Sequence, residues 1–385
     1  MKTLYLHVGI MKTGTSAIQR FCANNTQVLA QKGYCYPLFP YRYPNASYTR
    51  NARFLLGKVY DENGEIDREQ MAKRVAEGTQ KIKEYFEKYD HVILSDEGIW
   101  HGGVRKKKQG TILDFVKEMQ ESGIQVKIIA YLRCQEDYME SWWRQHVKKG
   151  YKCKQWDESI QALPKYFSAD YEKQLDKFEY MVGRENVIVR RYEKGRFQGK
   201  EGTIFSDFLD AVGITFSDEF ELPPSTVNPS WTNNYVEIKR ILNQMLCEDG
   251  VDKTELAFFE EVGNHCCEVF PQHEKTDFFS PEERRAYAER FREGNRHVAE
   301  RYLGEKDTDL FEYKEKNLPK WQSGTQQQYE DTVLFFGQAL LECRKREDEL
   351  QQEINRLKNK SILKRCARKV YRMCKKIAKR ILGRN

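Results

Sequence analysis

A chain of 385 residues can bury a sizeable core as one large or two ordinary domains, and an aromatic content of 13% excludes wholesale disorder. No run of 18 apolar residues occurs and an apolar strand begins at the third residue, so we expect neither a membrane span nor a leader, and a cytoplasmic protein. The formal charge of +7 is uneven: residues 358–385 carry twelve Lys or Arg and no acid, which leaves the rest of the chain at −5. Ten cysteines show neither C-x-x-C nor paired metal spacing, so reduced thiols and no metal site are expected.

In chain order, residues 3–8 (TLYLHV) predict a buried strand, residues 9–16 (GIMKTGTS) a glycine turn, and 14–31 a helix with Ile18, Phe21, Cys22 and Leu29 on one face. An aromatic and polar stretch at 36–51 (YPLFPYRYPNASYTRN) precedes a charged helix at about 66–88 and a strand at 91–95 (HVILS). A basic loop follows at 98–110, then a helix closed by Gly123, a strand at 125–133 (QVKIIAYLR) and a helix through 134–150. Another helix at about 166–182 leads to a strand at 186–192 (NVIVRRY). Strands alternating with helices define the expected fold class: α/β, a parallel sheet flanked by helices, with a helical C-terminal extension. From about residue 230 only helices are expected. The corresponding division is 1–305 for the main domain, 306–331 for a linker and 332–385 for the extension.

Within the extension, Leu340, Cys343, Glu347, Leu350, Ile354 and Leu357 follow heptad spacing, which suggests homodimerisation through 340–357 with one polar flaw. Leu363, Cys366, Val370, Met373, Ile377 and Ile381 then form an apolar stripe on an otherwise basic helix. Such a helix suits an anionic membrane surface, so residues 358–385 are expected to act peripherally on the inner face of the cell membrane. Nucleic acid needs no such stripe and is not an expected partner.

The glycine turn departs from a Walker A loop, G-x-x-x-x-G-K-[ST]. Gly9 and Gly14 keep the four-residue gap, but Thr15 stands where the lysine belongs and Lys12 lies two places before Gly14. The amides of residues 13–16 still open a helix and can cradle an anion, with the cation moved to its other side. In YLRCQEDYMESWWRQ, Arg133 ends a strand and Ser141 lies eight residues on in the next helix, followed by Trp143 and Gln145.

KTGTS at 12–16 and the R-x7-S pair Arg133 and Ser141 resemble the sulfotransferases, which use 3′-phosphoadenosine 5′-phosphosulfate without a metal. The resemblance implies that Gly9, Lys12, Thr13, Gly14, Thr15 and Ser16 hold the 5′-phosphosulfate, with Lys12 on the bridging oxygen, and that Arg133 and Ser141 hold the 3′-phosphate. It further implies a P-loop-like fold over 1–305 and adenine placed by Tyr192 in NVIVRRYEK. TVNPSW (226–231) and GNRHVAERYLG (294–304) are similar to segments of bacterial carbohydrate sulfotransferases, whereas the RKG motif of the steroid and phenol enzymes is absent.

An attacking hydroxyl must lose its proton, and ILSDEGIW offers Asp96, Glu97 and then His101 as bases. Ser95-Asp96-Glu97 resembles the family's Ser-x-Glu, which favours Glu97. VILSDE also imitates a Walker B strand, which keeps a P-loop kinase as the alternative, although Lys12 stands in the wrong place for one. Loops rich in Tyr, Trp, Asn and Arg suit a sugar, so the expected acceptor is a glycan hydroxyl, with a steroid or other small alcohol as the alternative.

Overall fold

The computed structural model describes the whole chain except residues 45, 103–105, 162–167, 225–230, 249–252, 271–274 and 383–385, and only the backbone at 101–102, 106–110, 247–248, 253–255, 360–363, 366 and 374–382. Among the described residues, five strands form one sheet: β1 (Thr3–His7), β2 (Tyr34–Cys35), β3 (His91–Ser95), β4 (Gln125–Leu132) and β5 (Val187–Arg191). All neighbours pair in parallel, in the order β2-β3-β1-β4-β5. Parallel central strands are covered on both faces, which is why TLYLH and VIL are buried at successive positions rather than alternate ones.

The helices between strands are α1 (Thr15–Asn24), α2 (Thr26–Gln31), α3 (Arg68–Tyr85), α4 (Gly98–Gly102), α5 (Lys106–Glu121), α6 (Gln135–Lys148), α7 (Trp156–Gln161) and α8 (Tyr171–Val182), with α9 (Ile204–Ala211) after β5. Ile18, Phe21 and Cys22 of α1 and Phe208 and Leu209 of α9 pack with Tyr5, Ile93, Ile129 and Tyr131 of the strands in one core. The helix expected over 14–31 is two helices. Asn25 divides them, its side chain donating back to the Phe21 carbonyl of α1 while also donating to the Glu221 carbonyl and accepting from Glu221 N. As expected, Gly123 follows α5 in the left-handed region, at φ 77°.

The chain groups into two compact units, one of residues 1–146, 153–228 and 276–321 and the other of 147–152, 229–275 and 322–385. The first holds the sheet together with α12 (Pro281–Glu289) and α13 (Arg292–Val298). Ser280 starts α12 with a capping box, its hydroxyl accepting from Glu283 N while Glu283 accepts from Ser280 N, and Pro281 occupies the first turn. The second unit is helical: α10 (Asn233–Glu248), α11 (Lys253–Val269) and α14 (Gln326–Leu382). Fully buried Phe335 of α14 meets Tyr235 and Phe259, and Asn234 donates to Asp331 at 2.7 Å. No described helix is long and apolar enough to cross a membrane.

Strand order reverses about β1, since β3 lies on one side of it and β4 on the other. The carboxyl end of β1 is therefore the switch point at which an open α/β sheet leaves a crevice, and residues 8–14 leave β1 there.

Candidate functional site

The loop from β1 into α1 is held from inside by Thr13 and Thr15. Both are buried, and both hydroxyls donate to the Ile10 carbonyl, at 2.6 and 3.4 Å. Gly9 is at φ 31°, and a Cβ there would lie 2.4 Å from Thr15 Oγ1, so the turn closes only around glycine. Gly14, at φ 74°, caps α1, and a Cβ there would meet Ile204 and, at 3.1 Å, the Tyr192 ring. Tyr192 is thereby placed against the loop, just beyond β5, where its amide donates to the Leu132 carbonyl at 2.6 Å.

The first helical amides with partners inside α1 are Ala17 N and Ile18 N, both donating to the Gly14 carbonyl. A helix start leaves the preceding amides without intrahelical acceptors, so the N–H groups of Gly14, Thr15 and exposed Ser16 form the positive end of α1.

Lys12 adopts φ 69°, a left-handed conformation unfavourable for a side chain with a Cβ. Its Nζ donates to Gln145 Oε1 at 3.2 Å, and its carbonyl accepts from Arg133 Nη1 at 3.3 Å. Arg133, Asp137, Ser141 and Gln145 recur every four residues and share one face of the strand-end-to-α6 segment. Lys12 thus spans the ends of this row, and Ser141 lies between them. The structure brings Lys12 into contact with Arg133 and Gln145, with Ser141 on the same face of α6, whereas Trp143 faces the core, donating to Ser159 Oγ at 3.1 Å and meeting Phe278.

Arg133 is set by a carboxylate relay. Its Nη2 lies 3.5 Å from Asp137 Oδ2, and Asp137 Oδ1 also accepts from Arg284 at 2.7 Å and Lys316 at 2.6 Å. Burial pushes the Asp137 carboxyl up, but Arg133, Lys316 and Arg284 outweigh it and hold the group well below the ordinary range. Arg284 is itself buried, with Glu140 and Asp277 as further partners at 2.8 and 2.9 Å.

Beyond β3, Asp96 and Glu97 have separate roles. Asp96 is sealed from solvent: Arg50 grips it through Nη2 at 2.7 Å and Nε at 3.1 Å, and Gly98 N donates to it at 2.6 Å. Glu97 keeps partial exposure, pairs with Arg50 Nη1 at 3.1 Å, and lies within electrostatic reach of Lys12. Burial pushes its pKa up and Asp96 adds to this, while Arg50, Arg53 and Lys12 pull it back, leaving the carboxyl above its ordinary value. Arg50 carries no recognisable motif, since its partner Asp96 lies 46 residues away and Glu97 is the next residue. Beside it, Phe39, Tyr41, Tyr43, Tyr48 and Asn51 line a small cleft. Residues 98–110, expected as a basic loop, instead form α4 and the start of α5 on either side of residues 103–105, and the side chains of His101 and the RKKK run and most of TVNPSW lie outside the described residues. The 294–304 segment braces the scaffold: Asn295 and Gln135 exchange amide hydrogen bonds, and Arg301 pairs with Asp176 and Glu179.

Fold and site define an α/β protein with a glycine turn at the carboxyl edge of a parallel sheet, beside which lie the side chains of Lys12, Arg133 and Glu97. No family model matches the chain. It is 28% identical over 231 residues to an uncharacterized protein of Archaeoglobus fulgidus, a match that covers 59% of this chain and 60% of that protein's length. Among solved structures, it is similar to a crystal structure of a sulfotransferase from Alicyclobacillus acidocaldarius at 14% identity and a TM-score of 0.35, covering 67% of this chain and 99% of that one.

Proposed function

We propose that this protein is a sulfotransferase that moves the sulfuryl group of 3′-phosphoadenosine 5′-phosphosulfate to a hydroxyl of a carbohydrate. The observation that carries the reading is the contact of Lys12 with both Arg133 and Gln145, on the row that also holds Ser141, with Glu97 within electrostatic reach of Lys12. The donor set suits a co-substrate with two separate anionic groups: the α1 amides and Lys12 for one, the Arg133 guanidinium and Ser141 hydroxyl for the other. The donor supplies the sulfuryl group and, as the sulfur–oxygen bond to its 5′-phosphate breaks, the leaving phosphate. Lys12 exchanges Gln145 for that developing charge, and the amides of Gly14, Thr15 and Ser16 share it. Glu97 takes the acceptor's hydroxyl proton, and its raised pKa makes it a stronger base than an ordinary glutamate.

A magnesium-dependent kinase is disfavoured by Asp96, whose oxygens are already occupied by Arg50 and the Gly98 amide. The tyrosine-rich stretch at 36–51, next to Arg50, favours a sugar acceptor over a steroid or other small alcohol, because aromatic faces suit stacking on a hydroxylated ring. The basic C-terminal helix, resting on an anionic membrane, would bring the site to a lipid-linked or capsular glycan.

The test is calorimetric titration with adenosine 3′,5′-bisphosphate and, separately, ATP with magnesium, on the wild type and Arg133→Ala. Metal-independent binding of the bisphosphate is expected, weakened roughly 10- to 150-fold in the variant, as loss of a charge-assisted contact implies. Binding of ATP with magnesium alone would overturn the assignment.

A further inference from the structure

We propose that residues 333–357 of α14 pair two copies of this chain as a parallel, in-register coiled coil, independently of the reaction at the sheet. The buried side of α14 carries Phe335 and Ala339, which face its own unit. About a quarter-turn away, a second apolar row is open to solvent, including Val333 at 72% exposure, Leu340 at 71% and Leu350 at 66%. The heptad spacing extends from the 340–357 seam back through Phe336 to Val333. Val333, Leu340, Glu347 and Ile354 occupy one core position, and Phe336, Cys343, Leu350 and Leu357 the other.

Charge selects the second copy's direction. In an antiparallel pair with all layers overlapped, the two-fold axis falls near residue 345, which sets Arg344 against Arg344 and Arg346 against Arg346. In the parallel pair, Glu353 at the g position instead meets Lys358 at the e position of the second copy. Within a parallel coil, the β-branched residues at Val333 and Ile354, with leucine at 350 and 357, favour two strands over three or four. Glu347 then shares a layer with Glu347 of the second copy, and each carboxylate enters a hole bordered by the other chain's Arg346, a guanidinium held on its own chain by Glu261 at 2.6 Å and by the Phe258 ring, which offsets the like charge. The glutamate fixes register at a cost in affinity, so the pair is a reversible dimer.

Sedimentation velocity of the full chain from about 1 to 100 µM tests the proposal, with tenfold shifts in dissociation constant as the readout. The wild type is expected to dimerise over this range. The exposed pair Leu340→Asp and Leu350→Asp, which leaves Phe335 and the core intact, should be monomeric throughout, and Glu347→Leu should dimerise at least about tenfold more tightly. A short bis-maleimide should join Cys343 to Cys343 of the second copy, as read by peptide mapping, and the link should vanish in Cys343→Ser. A monomer at every concentration, a dimer that survives the double aspartate, or a dimer without the Cys343 link would each overturn the proposal; the first leaves a membrane or a foreign helix to cover this face.

Discussion

His7 offers a direct check on how dry the floor of the site is. Its ring is wholly buried in β1, with Nδ1 2.9 Å from Ser95 Oγ and the ring against Tyr131 and Phe208, while Nε2 meets no partner among the described residues. Burial lowers its pKa from 6.5 to about 3. The folded chain therefore binds fewer protons than the unfolded one between these values, and stability present above pH 6.5 is lost as pH falls toward 3. At about 1.4 kcal/mol per unit, the loss is about 3 kcal/mol by pH 4.5 and about 5 kcal/mol when complete. His7→Asn keeps a group able to reach Ser95 but cannot ionise. Urea unfolding followed by tryptophan fluorescence reports mainly on the sheet-bearing unit, which holds five of the six tryptophans. The asparagine variant should be less stable at pH 7.5, because it leaves a gap, and the difference should close by about 3 kcal/mol at pH 4.5. A difference that stays constant across that range would refute the reasoning and mean that water reaches Nε2.

Two further outcomes follow from the charged groups. Glu97→Gln should lower turnover roughly 100- to 10,000-fold with bisphosphate affinity unchanged, and the wild-type rate should rise with pH along a limb on the alkaline side of an ordinary glutamate; a normal limb, or a variant of full activity, removes Glu97 as the base. Arg284→Met should destabilise the sheet-bearing unit by roughly 3–5 kcal/mol, because three carboxylates lose a buried partner; urea midpoints within experimental scatter of the wild type would show that those carboxylates are already solvated.

Strands β1 and β3 were legible because the successive apolar residues LYL and VIL are what a doubly covered parallel sheet demands, while β4 and the edge strand β5 showed through the shorter apolar runs IIAYL and VIV beside lysine or arginine. β2 escaped notice because two residues carry no periodicity. The glycine loop and the α6 row could be read as local patterns, whereas Arg50 and Arg284 could not. Each earns its place through a carboxylate 46 or 147 positions away, a relation that no window of sequence contains. The left-handed backbone of Lys12 was equally hidden, since nothing in its neighbours specifies it.

Arg284 and Lys316 both reach back to Asp137, the carboxylate that steadies Arg133. On the ribosome, every strand emerges well before either of these residues, so the sheet can assemble while the arginine beside the anion loop still has an incomplete counterweight. The final setting of the Arg133 side chain would then arrive late in synthesis. A nascent chain stalled before residue 284 would carry a formed sheet and a slack hand.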